Sequence, residues 1–407
     1  MPAPADSPPA PPRRGLGRLA LLIGAMGMLG PFSIDTFFPA FHAVEDELRA
    51  APWQMQQTLS IYLACFALMS LVHGPLSDRY GRRRLLLVNL AVFVIASIGC
   101  ALATSLHMLL AFRALQGLSA GAGTIVGRAI VRDSASGPEA QRLMSQITLV
   151  FAIAPAIAPV IGGWIHDALG WRAIFLFITA FGVAVWLACH LGLRETLPRE
   201  QRIRVNVAGM ARAYGQMLRT PPSLMLICAA AFNFAGLFLY ISSAPVVVET
   251  FLGLQTTQYH WFFLPMIGAI LLGSQLSGRL AGRVQQRRLV HAAYVVMACT
   301  CATNLLLVWL APAPAWLHTV IPAALYGVGS ALAFPALTLK LLDCYPRERG
   351  TAASMQAFVG LSVNAVAAGL LSPLLARGPL PLAAGQGLLM LCGLACWAMY
   401  CRHVQTD

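Results

Sequence analysis

Charged residues are scarce in this chain of 407 residues: only 11% are Asp, Glu, Lys or Arg, and Lys340 is the single lysine. In soluble proteins about a quarter of all residues are charged, so an assembly of soluble domains is excluded. Hydrophobic residues make up 58% of the chain, and its mean hydropathy is +0.70. This composition is typical of a protein that crosses a membrane many times.

The sequence also lacks the patterns that hold disulfides, metals or catalytic sites. Its ten cysteines fall in or at the ends of apolar runs, without the spacing of a disulfide framework or a metal site. The polar stretches between these runs contain no nucleophile paired with a base and no phosphate-binding loop, and they are too short to hold such a site. We therefore expect no enzymatic activity, no metal and no cofactor.

Apolar runs of about 20 residues, long enough to cross a bilayer as helices, recur along the whole chain. Twelve can be placed, at 17–39, 53–74, 85–104, 107–129, 142–163, 170–191, 222–244, 258–278, 289–310, 317–340, 352–374 and 381–400. They predict an all-α integral membrane protein with twelve transmembrane helices.

One long polar segment, residues 193–221, divides these helices six and six. We predict a six-helix bundle over 17–192, a cytoplasmic linker over 193–221 and a second six-helix bundle over 222–401. Residues 1–16, rich in proline and alanine, are expected to form a disordered cytoplasmic tail rather than a cleaved signal peptide. Two parallel halves of this kind enclose a substrate cavity near the middle of the membrane.

The net charge of +13 reflects membrane topology. With both termini placed in the cytoplasm, 24 of the 28 Lys and Arg residues lie inside and three lie outside (Arg49, Arg172 and Arg377), while Arg113 lies within a helix. This asymmetry follows the positive-inside rule. It predicts a multi-pass membrane protein with both termini in the cytoplasm and removes nucleic acid as a partner.

Asp35 is the only acid well inside a predicted helix, since the other fourteen, Glu249 among them, lie in tails, loops or helix ends. A carboxylate in hydrocarbon must be neutral, paired or facing water, so an intramembrane acid indicates a functional site. At 1.5 Å per residue, Asp35 lies about 9 Å and Arg113 about 10 Å from the same side of the membrane. We expect the two charges to pair. Snorkelling of Arg113 to the surface is the alternative.

The loop after the second helix reads Gly74-Pro75-Leu76-Ser77-Asp78-Arg79-Tyr80-Gly81-Arg82-Arg83-Arg84. A positive-inside loop explains the arginines but not the glycines and the acid at this spacing. The run resembles the loop signature of the major facilitator superfamily, G-x-L-[ST]-D-R-x-G-R-[RK]. That resemblance implies the major facilitator fold and a conformational latch between the two halves, formed by Gly74, Asp78, Arg79, Gly81 and Arg82.

Two further helices carry runs that resemble signatures of proton-coupled members of this superfamily. The fourth helix contains Arg113 and Gln116 followed by Gly117, in the pattern R-x-x-Q-G. The fifth contains Pro155, Pro159, Gly162 and Gly163, which we expect to act as a bend-and-pack element. These four residues are similar to the antiporter signature of the superfamily, with alanines where many members have glycine.

Three shorter runs, 34–40, 128–133 and 171–175, are similar to the bicyclomycin and chloramphenicol resistance branch (Bcr/CflA type) of the drug/proton antiporters. The resemblance implies a proton-coupled exporter of drugs or antibiotics in the bacterial inner membrane, working by alternating access and driven by the proton gradient. Asp35 would carry the coupling proton, and Arg113 would be its partner. An exporter of a cell metabolite, such as a sugar or amino-acid derivative, fits the same features, and a transport-dead sensor is a further alternative.

Polar and aromatic side chains at membrane depth are the candidates for the substrate cavity: Phe38, Tyr62, Gln116, Asn233, Phe234 and Tyr240. Each is equally compatible with packing between helices. The expected partners are a small amphipathic drug-like substrate, protons and membrane lipid, and the protein is expected to be a monomer.

Overall fold

The structure, a computed structural model, describes residues 13–202, 207–310, 316–346 and 348–406. Every regular element within these ranges is a helix. Residues 1–12 of the predicted tail and 203–206 of the predicted linker lie outside the described residues.

Nine α-helices make up the first half. They are α1 (Arg13–Asp35), α2 (Phe41–Leu48), α3 (Pro52–Ser70), α4 (His73–Tyr80), α5 (Arg82–Ala101), α6 (Leu106–Ala120), α7 (Ala122–Ser134), α8 (Gly137–Leu169) and α9 (Trp171–Gly192). Gly81 (φ 96°) and Gly170 (φ 80°) form the turns before α5 and α9. Positive φ is costly for other residues, so glycine permits both tight turns.

Eight α-helices make up the linker and the second half. They are α10 (Val207–Arg219), α11 (Pro221–Ser242), α12 (His260–Leu280), α13 (Gln286–Leu310), α14 (Trp316–Cys344), α15 (Arg349–Val366), α16 (Ser372–Leu375) and α17 (Pro379–Thr406). Two π-helical segments, Val246–Phe251 and Ala367–Leu371, follow α11 and α15. Three short 3-10 turns cover Phe38–Ala40, Arg199–Gln201 and Thr256–Gln258.

Eleven described helical segments are long and apolar enough to cross a membrane, and α3 with α4, bent by 50°, provides a twelfth. Each predicted apolar run overlaps one of these segments. The prediction of twelve transmembrane helices is therefore confirmed, with the fourth span built from α6 and α7 together.

The polar linker contains a helix, α10, where the sequence pattern predicts only a cytoplasmic connection. Its aromatic residue Tyr214 donates a hydrogen bond to the carbonyl of Leu71 in the first half (2.9 Å), and Met217 is buried. The same helix contacts α15 in the second half. The linker thus lies against both halves at one end of the molecule.

The two ends of the molecule differ. We call the end that carries α10 and the α4–α5 turn the linker end, and the opposite end, where α1 finishes and α3 begins, the far end. At the far end the halves are in contact through α3 with α15 and through α8 with α12. At the linker end a cavity separates them.

Candidate functional site

The side chain of Arg113 is buried in the first half and is satisfied by neutral groups. Nη1 donates to the carbonyl of Ser33 and to Oε1 of Gln116, each at 2.9 Å, and Nε donates to the carbonyl of Thr58 at 3.3 Å. Gln116 in turn donates to Ser97 Oγ (2.8 Å). Snorkelling is therefore wrong for this conformation: Arg113 ties α6 to α1 and α3.

Aromatic rings complete the surroundings of this guanidinium. Its central carbon lies 4.6 Å from the ring centre of Tyr62 and 5.6 Å from that of Phe37. Such cation–π contacts stabilise a cation that is removed from water. A Cβ on Gly117 would meet the carbonyl of Tyr62, so this glycine permits α6 and α3 to approach closely.

Asp35 ends α1 and is 6% exposed. The predicted ion pair with Arg113 is not formed, because the guanidinium is bound to the carbonyl of Ser33, two residues earlier. Among the described residues, Asp35 has neither an ion-pair nor a hydrogen-bond partner. The sequence therefore located both groups in one bundle, but the pairing of their charges was wrong for this conformation.

Side chains of α3 close the far end by donating to carbonyl oxygens of the second half. Gln56 donates to Ser242 (3.1 Å), Gln57 to Gly369 (2.8 Å) and Ser60 to Ala365 (2.8 Å). Gly369 lies in the π-helical segment after α15. A Cβ on Gly369 would meet the side chain of Ser60, so this glycine permits the close approach of α3. These three donors form what we call the far-end gate. None of the three was singled out from the sequence.

Two glycines of α8 lie at the same end and have different partners. A Cβ on Gly162 would meet the carbonyl of Thr36, the residue after Asp35, and a Cβ on Gly163 would meet the carbonyl of Thr256 in the second half. The close approach expected for this pair thus occurs on both sides of α8.

Both prolines of the predicted bend-and-pack element, Pro155 and Pro159, lie inside α8. This helix continues through them from Gly137 to Leu169. Since proline has no backbone N–H, each one removes a hydrogen bond from the helix.

Phe38 and Tyr259 bring the halves together beside α8. The ring of Phe38 stacks with that of Phe263, with centres 6.1 Å apart. The hydroxyl of Tyr259 donates to Oε1 of Glu249 (2.7 Å) and lies 3.3 Å from the carbonyl of Phe38. Glu249 also lies 3.8 Å from His42 of the first half, and its side chain is 19% exposed. Glu249 is therefore part of the contact between the halves, which its place at a helix end did not indicate.

The residues of the predicted latch bind α7 and the linker. Arg82 forms ion pairs with Asp78 and with Asp133 of α7, at 2.5 and 3.2 Å, and its backbone N–H donates to Glu195 (2.9 Å). A Cβ on Gly81 would meet the side chain of Glu195. The loop is thus held on the first half.

The other two latch residues also make no described contact with the second half. The space around a Cβ on Gly74 is empty to 4 Å, and Arg79 lies over the ring of Tyr80 at 5.0 Å. A latch between the halves is therefore not formed in this conformation. The cavity that separates the loop from α15 at the linker end is the reason.

A cavity of about 400 Å³ lies between the halves. Its walls are mostly apolar and come from α11, α12, α14 and α15, while Arg128 of α7 is the charged residue among the described lining. A second space of about 330 Å³ shares Arg128, Ala353 and Ala357 with it and reaches Gly74 and Tyr214 at the linker end. Ligand pockets are typically concave, mostly apolar and about 300–1,000 Å³ in volume.

The six predicted cavity residues separate in the structure. Phe234 lines the cavity, whereas Phe38 is packed in the contact at the far end, and Tyr62 and Gln116 surround Arg113. Tyr240 accepts a hydrogen bond from Asn304 inside the second half. Asn233 is buried, with neither side-chain polar atom bonded among the described residues.

A family model described as Major Facilitator Superfamily matches residues 22–368. The chain belongs to this superfamily. Members are membrane transporters, so the chain is a multi-pass membrane transporter and no catalytic activity is indicated.

Similar proteins indicate the branch of the superfamily that this chain resembles. A bicyclomycin resistance protein homolog of Haemophilus influenzae is 28% identical over 86% of this chain and 88% of its own length. Multidrug resistance protein D of Escherichia coli K12 is 27% identical over 93% of this chain and 94% of its own length. The resemblance to antiporters of the bicyclomycin and chloramphenicol resistance type is thereby confirmed.

A solved structure shows the same fold. It is the crystal structure of a bacterial homolog to the human lysosomal transporter Spinster, in an inward-facing and occupied conformation. The TM-score is 0.73, with 16% identity and 98% of both chains covered. The major facilitator fold expected from the sequence is confirmed.

Proposed function

We propose that this transporter is a proton-coupled exporter of small drug-like molecules that works by alternating access. The observation that carries the proposal is the apolar cavity between the halves, which continues toward the linker end while the far-end gate is closed. Drug resistance is named in both relatives described above. An exporter must take its substrate from the cytoplasm, and a cavity on that side provides the route.

The orientation follows from the distribution of arginine. The positive-inside rule assigns the linker end and both termini to the cytoplasm of the bacterial inner membrane. The far-end gate then faces the periplasm, and the structure corresponds to the state that receives substrate. A single chain contains both halves around the cavity, so a monomer is sufficient.

Asp35 carries the coupling proton in this proposal. Its carboxyl is buried at the far end without a counter-ion among the described residues. A charged carboxylate is costly in such a place, so the group enters this conformation neutral and protonated. In the proposed cycle it releases the proton to the cytoplasm when substrate enters the cavity. Opening of the far end would expose the group to water and to periplasmic protons. Arg113 of α6 donates to the carbonyl of Ser33, two residues before Asp35 on α1. Through this bond, movement of α1 would be transmitted to α6.

The test uses purified protein in liposomes with an acidic interior and a pH-sensitive dye inside. Addition of bicyclomycin, chloramphenicol or another member of an antibiotic panel is expected to drive protons out through the wild-type protein. Asp35→Asn is expected to abolish this drug-driven proton movement. Asp46→Asn, the same change on an exposed face of α2, is the matched control and should behave as wild type.

Wild-type coupling in Asp35→Asn would remove Asp35 as the proton carrier. Absence of drug-driven proton movement in the wild type across the whole panel would overturn proton-coupled drug export itself.

A further inference from the structure

Arg128 lines the cavity between the halves and has no partner among the described residues. It lies on α7, two turns before the helix ends at Ser134, and is exposed to the cavity. Neither an ion pair nor a hydrogen bond involves its guanidinium within the described part of the chain. This cation is the charged group among the described residues that line the cavity.

The two acids closest to the cavity entrance are already engaged. Asp78 and Asp133 both pair with Arg82, and Asp133 also accepts a hydrogen bond from Thr196 (2.9 Å). Arg132, one turn after Arg128 on the same face of α7, adds another positive charge at the entrance. The described residues around the entrance therefore leave the positive charge of Arg128 uncompensated.

The opposite walls supply an apolar surface and neutral polar groups. Phe234, Leu237 and Phe334 give the surface, while Asn364 and Gln356 bring side-chain amides. Oδ1 of Asn364 is buried without a hydrogen-bond partner among the described residues. The cavity thus offers one fixed cation on the first half and an apolar wall on the second.

We propose that the cavity binds amphipathic anions: molecules with an apolar body that packs on the second half and one carboxylate, sulfonate or phosphonate that pairs with Arg128. The proposal names a substrate class and so rests on the export function proposed above. Guanidinium is planar and always charged, and it binds such oxyanions through two parallel hydrogen bonds. An anion held between Arg128 and the second half would contact both halves at once.

The test measures binding to detergent-solubilised full-length protein, without a membrane or a gradient. The probes are 1-naphthaleneacetate, the neutral 1-naphthaleneacetamide and the cationic 1-naphthalenemethylamine, which share one apolar ring system. Isothermal titration is expected to show that the acetate binds about tenfold or more tightly than the other two, because hydrogen bonds to charged groups are the strong ones. Arg128→Gln should remove this preference, and Arg128→Lys should keep part of it.

Arg288→Gln is the matched control, since Arg288 is an exposed arginine at the start of α13, at the same end but outside the cavity. It should leave the preference unchanged. Thermal unfolding of each variant checks that Arg128→Gln is folded. Equal affinity for the three probes in the wild type, no binding of any probe, or an unchanged preference in Arg128→Gln would each overturn the proposal and leave Arg128 as a positive-inside arginine.

The outcomes separate this inference from the export function. Absence of the anion preference in the wild type together with intact drug-driven proton movement would reject only the substrate class. A clear anion preference without any transport would support the site and reject the export function.

Discussion

The guanidinium of Arg113 donates to the carbonyl of Ser33 at 2.9 Å and leaves Asp35, two residues later, without a counter-ion among the described residues. A buried cation is thus balanced by carbonyl oxygens, an amide and aromatic rings in place of a carboxylate. Because the bond is to the backbone of α1, it does not require a charge on Asp35. Arg113 therefore holds α1 to α6 in this conformation without an ion pair.

Replacement of Arg113 by lysine should lower stability although the charge is kept. An ammonium group cannot reach the acceptors on Ser33, Thr58 and Gln116 together, and each buried acceptor left without a donor costs about 1–3 kcal/mol. Thermal unfolding in detergent should show a clearly lower midpoint for Arg113→Lys. Arg288→Lys, on the exposed surface, should unfold with the wild type. Equal midpoints for the two variants would contradict the hydrogen-bond network described here.

Removal of donors from the far-end gate should open the far end. Gln57→Ala and Ser60→Ala each delete a bond to a carbonyl of the second half, worth about 0.5–1.5 kcal/mol, or roughly a two- to tenfold decrease in the ratio of closed to open gate. Electron-spin distance measurements between labels on α3 and α15 at the far end should detect a longer separation. Gln54→Ala serves as control, because among the described residues the Gln54 side chain accepts a bond from the N–H of Ala51 at the start of the same helix and makes none to the second half. Unaltered distances in both gate variants would remove these bonds from the gate.

A methyl group at Gly163 should disfavour the same contact by steric means. Its Cβ would overlap the carbonyl of Thr256, so Gly163→Ala must move α8 away from the second half. We expect increased labelling of a cysteine placed at the far end, and slower transport. Gly268→Ala in α12 adds the same methyl group where no atom lies within 4 Å and should have no effect. If the two variants label alike, the close approach at Gly163 does not control the gate.

Glu249 should make closure of the far end depend on pH. Burial raises the pKa of the Glu249 carboxyl above its ordinary value, against the opposing effects of the hydrogen bond from Tyr259 and of His42. An open far end would return the group to water, with an ordinary pKa of about 4.3. The closed gate thus binds the proton more tightly, so it is favoured at low pH and loses this stabilisation as pH rises above the ordinary value.

The measurement for Glu249 is the rate of cysteine labelling at the far end as a function of pH, divided by the rate for a free thiol at the same pH because the thiolate is the reacting form. The wild type should label faster as pH rises through this window, and Glu249→Gln should show a flatter profile. Asp46→Asn, on the exposed face of α2, should retain the wild-type profile. A slope that survives in Glu249→Gln would assign the pH dependence to another group.

The positions of the helices could be predicted from the sequence because hydropathy and length decide whether a segment crosses a membrane. The break between α6 and α7 at Gly121 could not be predicted, because the apolar run continues through it. The backbone angles of Gly121 are themselves ordinary helical values. Helix α10 was missed because its sequence is polar enough to read as a loop. The surfaces on which this helix packs, Leu71 of the first half and α15 of the second, are brought together only by the fold.

The sequence predicted how deep the site residues lie in the membrane, but not which way their side chains point. Residue counting placed Asp35 and Arg113 at similar depth, yet it carries no information on which way each side chain turns. In the sequence, Arg128 does not differ from the other arginines that determine the topology. Its place in the lining of the cavity is visible only in the structure. Gln57 bonds to the carbonyl of Gly369 in a π-helical segment, and Ser60 bonds to the carbonyl of Ala365 near the end of α15. No pattern of side chains reveals such backbone partners.

The adjacent glycines of α8 place two events on neighbouring residues. Gly162 touches the carbonyl of Thr36, next to Asp35, and Gly163 touches Thr256 of the second half. A displacement of the second half at Thr256 would therefore reach Thr36, the residue after Asp35, across a single peptide unit of α8. In the proposed mechanism, proton occupancy and closure of the far end would then be linked across the width of one helix backbone, without a long relay of side chains.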